Sequence, residues 1–216
     1  SNDADEPERG GIFVFMGEGI SAEDTLEDAD YVLVGHDNND QAGWSIAGGA
    51  DFNTDGFDDL LIGAPGAGSA GQAYLISAEE ILSAGDEPPS VFAISMDYVS
   101  GSAGDRLGHS VAAIGDMHGD GLPDAAIGRP YYATDDEGYI HWVDSSGARL
   151  GLNGSGGNSH AGWSVAGGDF NADGFADALV GSPGFWDGRG VVCLIWDTSL
   201  PDRCHYLYGR TLLGQN

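Results

Sequence analysis

Apolar residues in this chain come in short runs of four to seven, each closed by Gly, Pro or Asp. One set reads Leu60-Leu-Ile-Gly-Ala-Pro65, Ala125-Ala-Ile-Gly-Arg-Pro130 and Ala178-Leu-Val-Gly-Ser-Pro183. A second set spans 72–77, 138–143 and 190–196, and a third reads Gly43-Trp-Ser-Ile-Ala47, Gly108-His-Ser-Val-Ala112 and Gly162-Trp-Ser-Val-Ala166. All are rich in β-branched and aromatic residues, which with such punctuation predicts strands. None holds a 3.6-residue period long enough for a stable amphipathic helix. The best helical stretch is Ser77–Ser83, one or two turns.

Between the third set and the first lies a nonapeptide that occurs three times. The copies are Asp51-Phe-Asn-Thr-Asp-Gly-Phe-Asp-Asp59, Asp116-Met-His-Gly-Asp-Gly-Leu-Pro-Asp124 and Asp169-Phe-Asn-Ala-Asp-Gly-Phe-Ala-Asp177. They begin 65 and then 53 residues apart, so the chain is a repeat. Oxygen-bearing side chains at positions 1, 3, 5 and 9, with Gly at 6 for a sharp reversal, suit a hard divalent cation such as Ca2+. The expected ligands are Asp51, Asn53, Asp55 and Asp59; Asp116, His118, Asp120 and Asp124; and Asp169, Asn171, Asp173 and Asp177. The backbone carbonyls of Phe57, Leu122 and Phe175 would each add an oxygen. An ion-free Asp/Asn/Gly turn is the alternative, but three carboxylates within nine residues repel without a cation. The second copy departs from the others, because imidazole is a poor ligand for Ca2+ and Pro123 stiffens position 8. We therefore expect three Ca2+ sites, that at 116–124 being the weakest. The loops end in Asp and sit between strands, so they are not EF-hands.

A fourth strand per unit is expected around Val91–Tyr98, Ala148–Leu152 and Cys204–Leu213. Each unit is then a four-stranded antiparallel sheet with the loop joining its first two strands. Such sheets must stack to cover their faces, and radial stacking makes a β-propeller. With these parts in order, the chain resembles the FG-GAP repeat of integrin α-subunit propellers and their bacterial relatives. The resemblance covers roughly residues 11–214. In place of the Phe-Gly pair the chain has Ala-Gly, Leu-Gly and Ala-Gly, and only Gly63-Ala64-Pro65 keeps the second signature intact. The resemblance implies an all-β propeller whose blades hold Ca2+ between strands one and two.

The expected organisation is a polar lead-in (1–10), a half-blade of strands three and four (11–36), and blades over 37–100, 101–155 and 156–216. That makes three complete blades and an outer half, about 14 strands, where integrin-type rings have about seven blades. The ring is therefore partial, or completed by oligomerisation or by the remainder of a longer propeller.

Charge narrows the partners. The chain has 35 acidic and 7 basic residues, all of the latter Arg, for a net charge of −28. Three Ca2+ would leave about −22. This acidity argues against nucleic-acid and anionic-membrane partners, and the absence of Lys fits a salty environment in which self-repulsion is screened. No apolar run reaches the length of about 18 residues that spans a bilayer, and no signal-peptide pattern opens the chain. Weak Ca2+ loops nevertheless suit an exported protein, from which a leader has been removed or of which this is a part.

Other residues carry open readings. Trp44, His109 and Trp163, equivalent in the repeat, either pack between blades or stack on a ligand. Tyr131, Tyr132, Phe185 and Trp186 follow the Gly-x-Pro turns and either pack or meet a sugar or protein partner. A hairpin centred between Thr198 and Ser199 would set Cys193 opposite Cys204, for a disulfide or two buried thiols. Asn153-Gly-Ser155 is an N-glycosylation acceptor pattern. There is no nucleophile elbow, zincin motif or phosphate loop, and His109, His118 and His160 read as substitutions in a scaffold. The expectation is a non-enzymatic, extracellular adhesion or recognition module for a protein or glycan. The alternatives are a lectin-like module, or an accessory domain of an exported polysaccharide- or lipid-cleaving enzyme.

Overall fold

A computed structural model describes residues 9–17, 21–83, 103–144, 149–196 and 204–208. Within these the chain is all-β, in four antiparallel sheets whose strand order follows the sequence. The first pairs β1 (Gly11–Val14) with β2 (Tyr31–Val34). The second holds β3 (Ser45–Ala50), β4 (Asp59–Ala64) and β5 (Gln72–Ile76). The third holds β6 (Ser110–Gly115), β7 (Asp124–Arg129), β8 (Tyr139–Val143) and β9 (Arg149–Asn153). The fourth holds β10 (Ser164–Gly168), β11 (Asp177–Ser182), β12 (Val191–Ile195) and β13 (His205–Tyr208). The strand expected at Val91–Tyr98 lies outside the described residues.

The expected helical stretch forms α1 (Ala78–Ser83). A 3-10 turn at Leu26–Asp28 was not foreseen; Thr25 caps it, with its amide donating to Asp28 and its hydroxyl accepting from Glu27. The first strands begin two residues later than the apolar pattern suggests. Gly43 is in the left-handed region (φ 86°) and turns the chain before β3 can start.

Each junction between sheets has its own core, which explains the unbroken apolar runs. Along β4, Ile62 faces back toward Ile12, Leu33 and Ile76, whereas Leu61 faces forward toward Leu107, Val111 and Ile127. The next junction buries Ile114, Met117, Ile140, Val180 and Ile195. A central strand covered on both faces has no polar side to alternate with.

The close approach of one blade to the next depends on the Gly of the Gly-x-Pro signature. A Cβ on Gly63 would lie 2.0 Å from the Gly108 carbonyl, and one on Gly128 would lie 2.0 Å from that of Gly162. Ser45 Oγ and Ser110 Oγ donate to those same carbonyls at 2.9 and 2.7 Å. The Arg in Gly-Arg-Pro has a reason as well: Arg129 is buried in an ion pair with buried Asp105 and lies over the Tyr132 ring.

Cys193 and Cys204 form a disulfide with Cα atoms 5.3 Å apart. The register is not the one that hairpin counting predicts. Cys193 stands opposite Tyr206 and Leu194 opposite His205, so the bridge is diagonal across β12 and β13.

Candidate metal centre

The three nonapeptides are the connections β3–β4, β6–β7 and β10–β11. Each is wound around its own carboxylates. In the first, Asp51 accepts from the amides of Asp55 (3.1 Å) and Gly56 (2.9 Å), and Asp55 accepts from that of Phe57 (2.8 Å). The third repeats the pattern, with Asp169 accepting from Asp173 and Gly174 and Asp173 from Phe175. Asn53 and Asn171 each donate a side-chain N–H to the position-5 Asp at 2.8 Å. Two residues per loop are left-handed: Gly56, Gly121 and Gly174 at position 6, and Thr54, Gly119 and Ala172 at position 4. Only the first of these positions was legible, because Gly stands at position 4 in just one copy.

Position 9 is the distinctive one. Asp59, Asp124 and Asp177 open the second strands and are all but wholly buried. One oxygen of each accepts from the amide of position 2: Phe52 at 2.9 Å, Met117 at 2.7 Å and Phe170 at 2.6 Å. The other oxygen, Oδ1 in all three, is buried and makes no hydrogen bond of ordinary geometry. Leaving an ionised carboxylate oxygen in that state is costly. Burial raises the pKa of Asp59, with the nearby Asp55 charge adding to the rise and the amides of Phe52, Ala78 and Asn53 opposing it. Burial raises that of Asp124 too, opposed by His118 and the Met117 amide. Asp55 is shifted the other way by the Phe57 amide and the Asn53 side chain.

A recurrent buried oxygen without a partner fits a dication held by oxygen donors. As the side chains stand, no three His, Cys, Asp or Glu among the described residues are drawn together tightly enough to hold an ion. The physical reason is local, since the carboxylates of positions 1 and 5 face loop amides. Ion binding would therefore compete with these hydrogen bonds. Ser77 also enters the first site, its hydroxyl donating to Asp55 at 3.0 Å, a contact that spacing within the loop could not disclose.

The second loop differs as its sequence does. His118 Nδ1 lies 2.9 Å from Asp124 Oδ2, inside the loop, whereas Asn in the other copies faces position 5. Asp116 accepts from Gly119, Asp120 and Gly121, and Asp120 accepts from Leu122. The second and third loops also touch: the Ala176 amide donates to the Asp116 carbonyl at 2.8 Å. Beside this contact is a cavity of about 380 Å³, lined by His118, Asn171, Asp173, Phe175 and Trp196 among others.

The aromatic positions pack against one another, and several stay partly exposed. Trp44, His109 and Trp163 form a row across three sheets, with centroids 5.7 and 4.7 Å apart, and His109 Nδ1 is 3.1 Å from the Trp163 carbonyl. The row packs between blades, yet Trp44 is 52% and Trp163 40% exposed. Tyr131 packs against His160 and Trp163, and Tyr132 against Tyr139. Phe185 stacks on Tyr206, while Trp186 is 58% exposed in an irregular turn where it and Asp187 are left-handed.

Comparison with known proteins agrees with this architecture. The family model of the FG-GAP repeat matches residues 42–76 and 161–193, the spans that hold the first and third loops. The chain is 31% identical to integrin alpha-5 of Xenopus laevis over 160 residues, 66% of this chain and 15% of the relative. It is 29% identical to integrin alpha pat-2 of Caenorhabditis briggsae over 166 residues, 68% of this chain and 13% of that one. It is also 28% identical to phosphatidylinositol-glycan-specific phospholipase D of Bos taurus over 183 residues, 73% of this chain and 21% of that enzyme. The chain thus spans a small part, from 13% to 21%, of these curated relatives. The chain carries FG-GAP repeats, and its sheets are blades of the β-propeller type. No helix among the described residues is long and apolar enough to cross a membrane.

Proposed function

We propose that this chain is a calcium-stabilised propeller module of an exported adhesion or recognition protein, without catalytic activity of its own. The observation that carries the reading is the buried Asp at position 9 of every loop, each with a buried oxygen that makes no hydrogen bond of ordinary geometry. Asp51, Asn53, Asp55 and Asp59 would hold one ion with the Phe57 carbonyl. Asp169, Asn171, Asp173, Asp177 and the Phe175 carbonyl would hold another. Asp116, Asp120, Asp124 and the Leu122 carbonyl, with His118, would form the third. A bound Ca2+ would supply the positive charge that clustered carboxylates lack. The chain's part is to fix those carboxylates on a hairpin whose ends are two central strands, so that binding stabilises the blade itself. Extracellular calcium is abundant enough to fill weak loops, which supports an exported location.

The flat faces of the blades are then left for a protein or glycan partner, and similarity to integrin alpha chains supports recognition as the role. Removing calcium with a chelator and following thermal unfolding tests this reading. Binding at 100 times Kd adds about 2.7 kcal/mol per site, so Tm should fall by several degrees on chelation. An unchanged Tm would refute the structural role.

Similarity to a phospholipase D over 73% of the chain supports a second reading, as an accessory domain beside a lipid-cleaving activity. Hydrolysis of a glycosylated phosphatidylinositol by the purified chain would overturn the non-enzymatic reading. Enhancement of a catalytic partner, without activity alone, would favour the accessory role.

A further inference from the structure

We propose that the trailing face of the fourth sheet, the one turned away from the third, is a docking surface for a further FG-GAP blade. The inference goes beyond the reading above and needs no bound ion.

The chain itself shows this junction twice in finished form. β6 packs along β3 and β4, and β10 packs along β6 and β7. Under those contacts lie Leu61, Ala73 and Leu75 in the second sheet and Ala126, Ile140 and Trp142 in the third, all buried. Strand register makes Leu179, Val192 and Leu194 their counterparts in the fourth sheet. There Val192 is 38% exposed and Leu179 and Leu194 are half-buried, whereas Val180 and Cys193 on the opposite face are buried. Trp163 is likewise exposed where its counterpart His109, with a ring of the next sheet against it, is buried. A contiguous apolar face of this kind marks an interaction surface.

The polar parts of the junction are also in place. Gly63 and Gly128 each leave room for a backbone carbonyl of the next blade, and Ser45 and Ser110 donate their hydroxyls to it. Gly181 and Ser164 hold the same positions, yet the nearest atoms to a Cβ on Gly181 all belong to Ser164, which is exposed. Gly71 and Gly138, both left-handed, form parallel bridges to Leu107 and Ala161; Gly190 has the same backbone (φ 70°) and forms no such bridge among the described residues. An open depression of about 340 Å³, lined by Trp163, Gly181, Val192 and Leu207 among others, lies where the first strand of a further blade would run.

These features select the occupant. An apolar partner in general needs neither the notch at Gly181 nor a hydroxyl aimed at it; a strand that opens with Gly-x-Ser and presents its Gly carbonyl needs both. A second copy of the chain fits poorly, because the strand it would offer is β3, and its own β1–β2 sheet already stands before β3 through the Gly10–Ala42 bridge.

In the test, the chain is compared at saturating Ca2+ with a version that carries a second copy of residues 101–155 after Asn216. Hydrogen exchange is read by mass spectrometry over 162–166 and 190–195. Exchange there should slow by about tenfold or more in the extended chain. Val192→Asp should abolish the slowing, as should Gly181→Ala, whose methyl group takes the place of the carbonyl; either variant suffices if the other fails to fold. No slowing on extension, or slowing that survives both substitutions, would overturn the proposal. So would exchange in the unextended chain already as slow as over 108–112 and 138–143, which would show the face covered by the chain's own residues. Self-association of the unextended chain in sedimentation, abolished by Val192→Asp, would give the face to a second copy and overturn the assignment as well.

Discussion

The backbone amide of Ala176 donates to the carbonyl of Asp116 at 2.8 Å, tying position 8 of the third loop to position 1 of the second. The attachment is reinforced where Gly119 leaves room for the Phe175 ring; a Cβ there would come within 2.9 Å of Cε1. Two hairpins from successive blades therefore touch directly.

Ion binding at the two loops should be coupled through this contact. Asp173→Asn, which weakens the third loop, is expected to weaken cation affinity at the second by about fivefold, the lower end of ordinary coupling energies. Loop-resolved titration by NMR would read this. Independent affinities would show that the hydrogen bond carries no coupling.

Asp105 and Arg129 form an ion pair with both side chains 4% exposed. Breaking a buried pair leaves an uncompensated charge, at a cost of about 3–5 kcal/mol. Asp105→Ala should therefore unfold at much lower denaturant concentration. The double variant with Arg129→Ala, which restores Gly-Ala-Pro, should recover much of the loss. Equal destabilisation in the single and double variants would remove the charge from the explanation.

His109 is buried between Trp44 and Trp163, and burial holds its pKa below the usual 6.5, with the Arg106 charge acting in the same direction and the Trp163 carbonyl opposing. The folded state then binds this proton less readily than the unfolded state. Its contribution to stability is intact above pH 6.5 and is lost as pH falls below that value. Denaturant melts followed by Trp fluorescence should show that slope, and His109→Gln should flatten it.

The disulfide closes a span of 11 residues between β12 and β13. Chain-entropy arguments put its contribution at about 2–3 kcal/mol. Reduction, or Cys193→Ala with Cys204→Ala, should lower Tm by several degrees while leaving cation affinity at 51–59 unchanged. Loss of binding at that distant loop would mean that the blades unfold as one unit.

The strands, the loop ends and the helical turn at Ala78–Ser83 were legible because each rests on short-range causes: branched residues, Gly and Asp at turns, and repeated spacing. The register of β12 against β13 was not. Counting needs the hairpin centre, and the observed pairing is centred one residue later, so that Cys193 meets Tyr206. The bulges after Ala47 and Ala113 were equally invisible, since they answer to the pairing partner and not to the strand itself. The site divides the same way. Candidate oxygens follow from spacing, but the burial of Asp59, Asp124 and Asp177, the reach of Ser77 to Asp55 and the Ala176–Asp116 bond depend on residues far along the chain or on a second blade.

The central claim is that the position-9 carboxylates bind calcium, and calcium stoichiometry by equilibrium dialysis tests it most directly. Wild type should retain at least the two ions of the first and third loops, and the Asp59→Asn, Asp177→Asn double variant should lose both. A wild-type chain that retains no calcium, or a double variant that retains as much as wild type, would contradict the account.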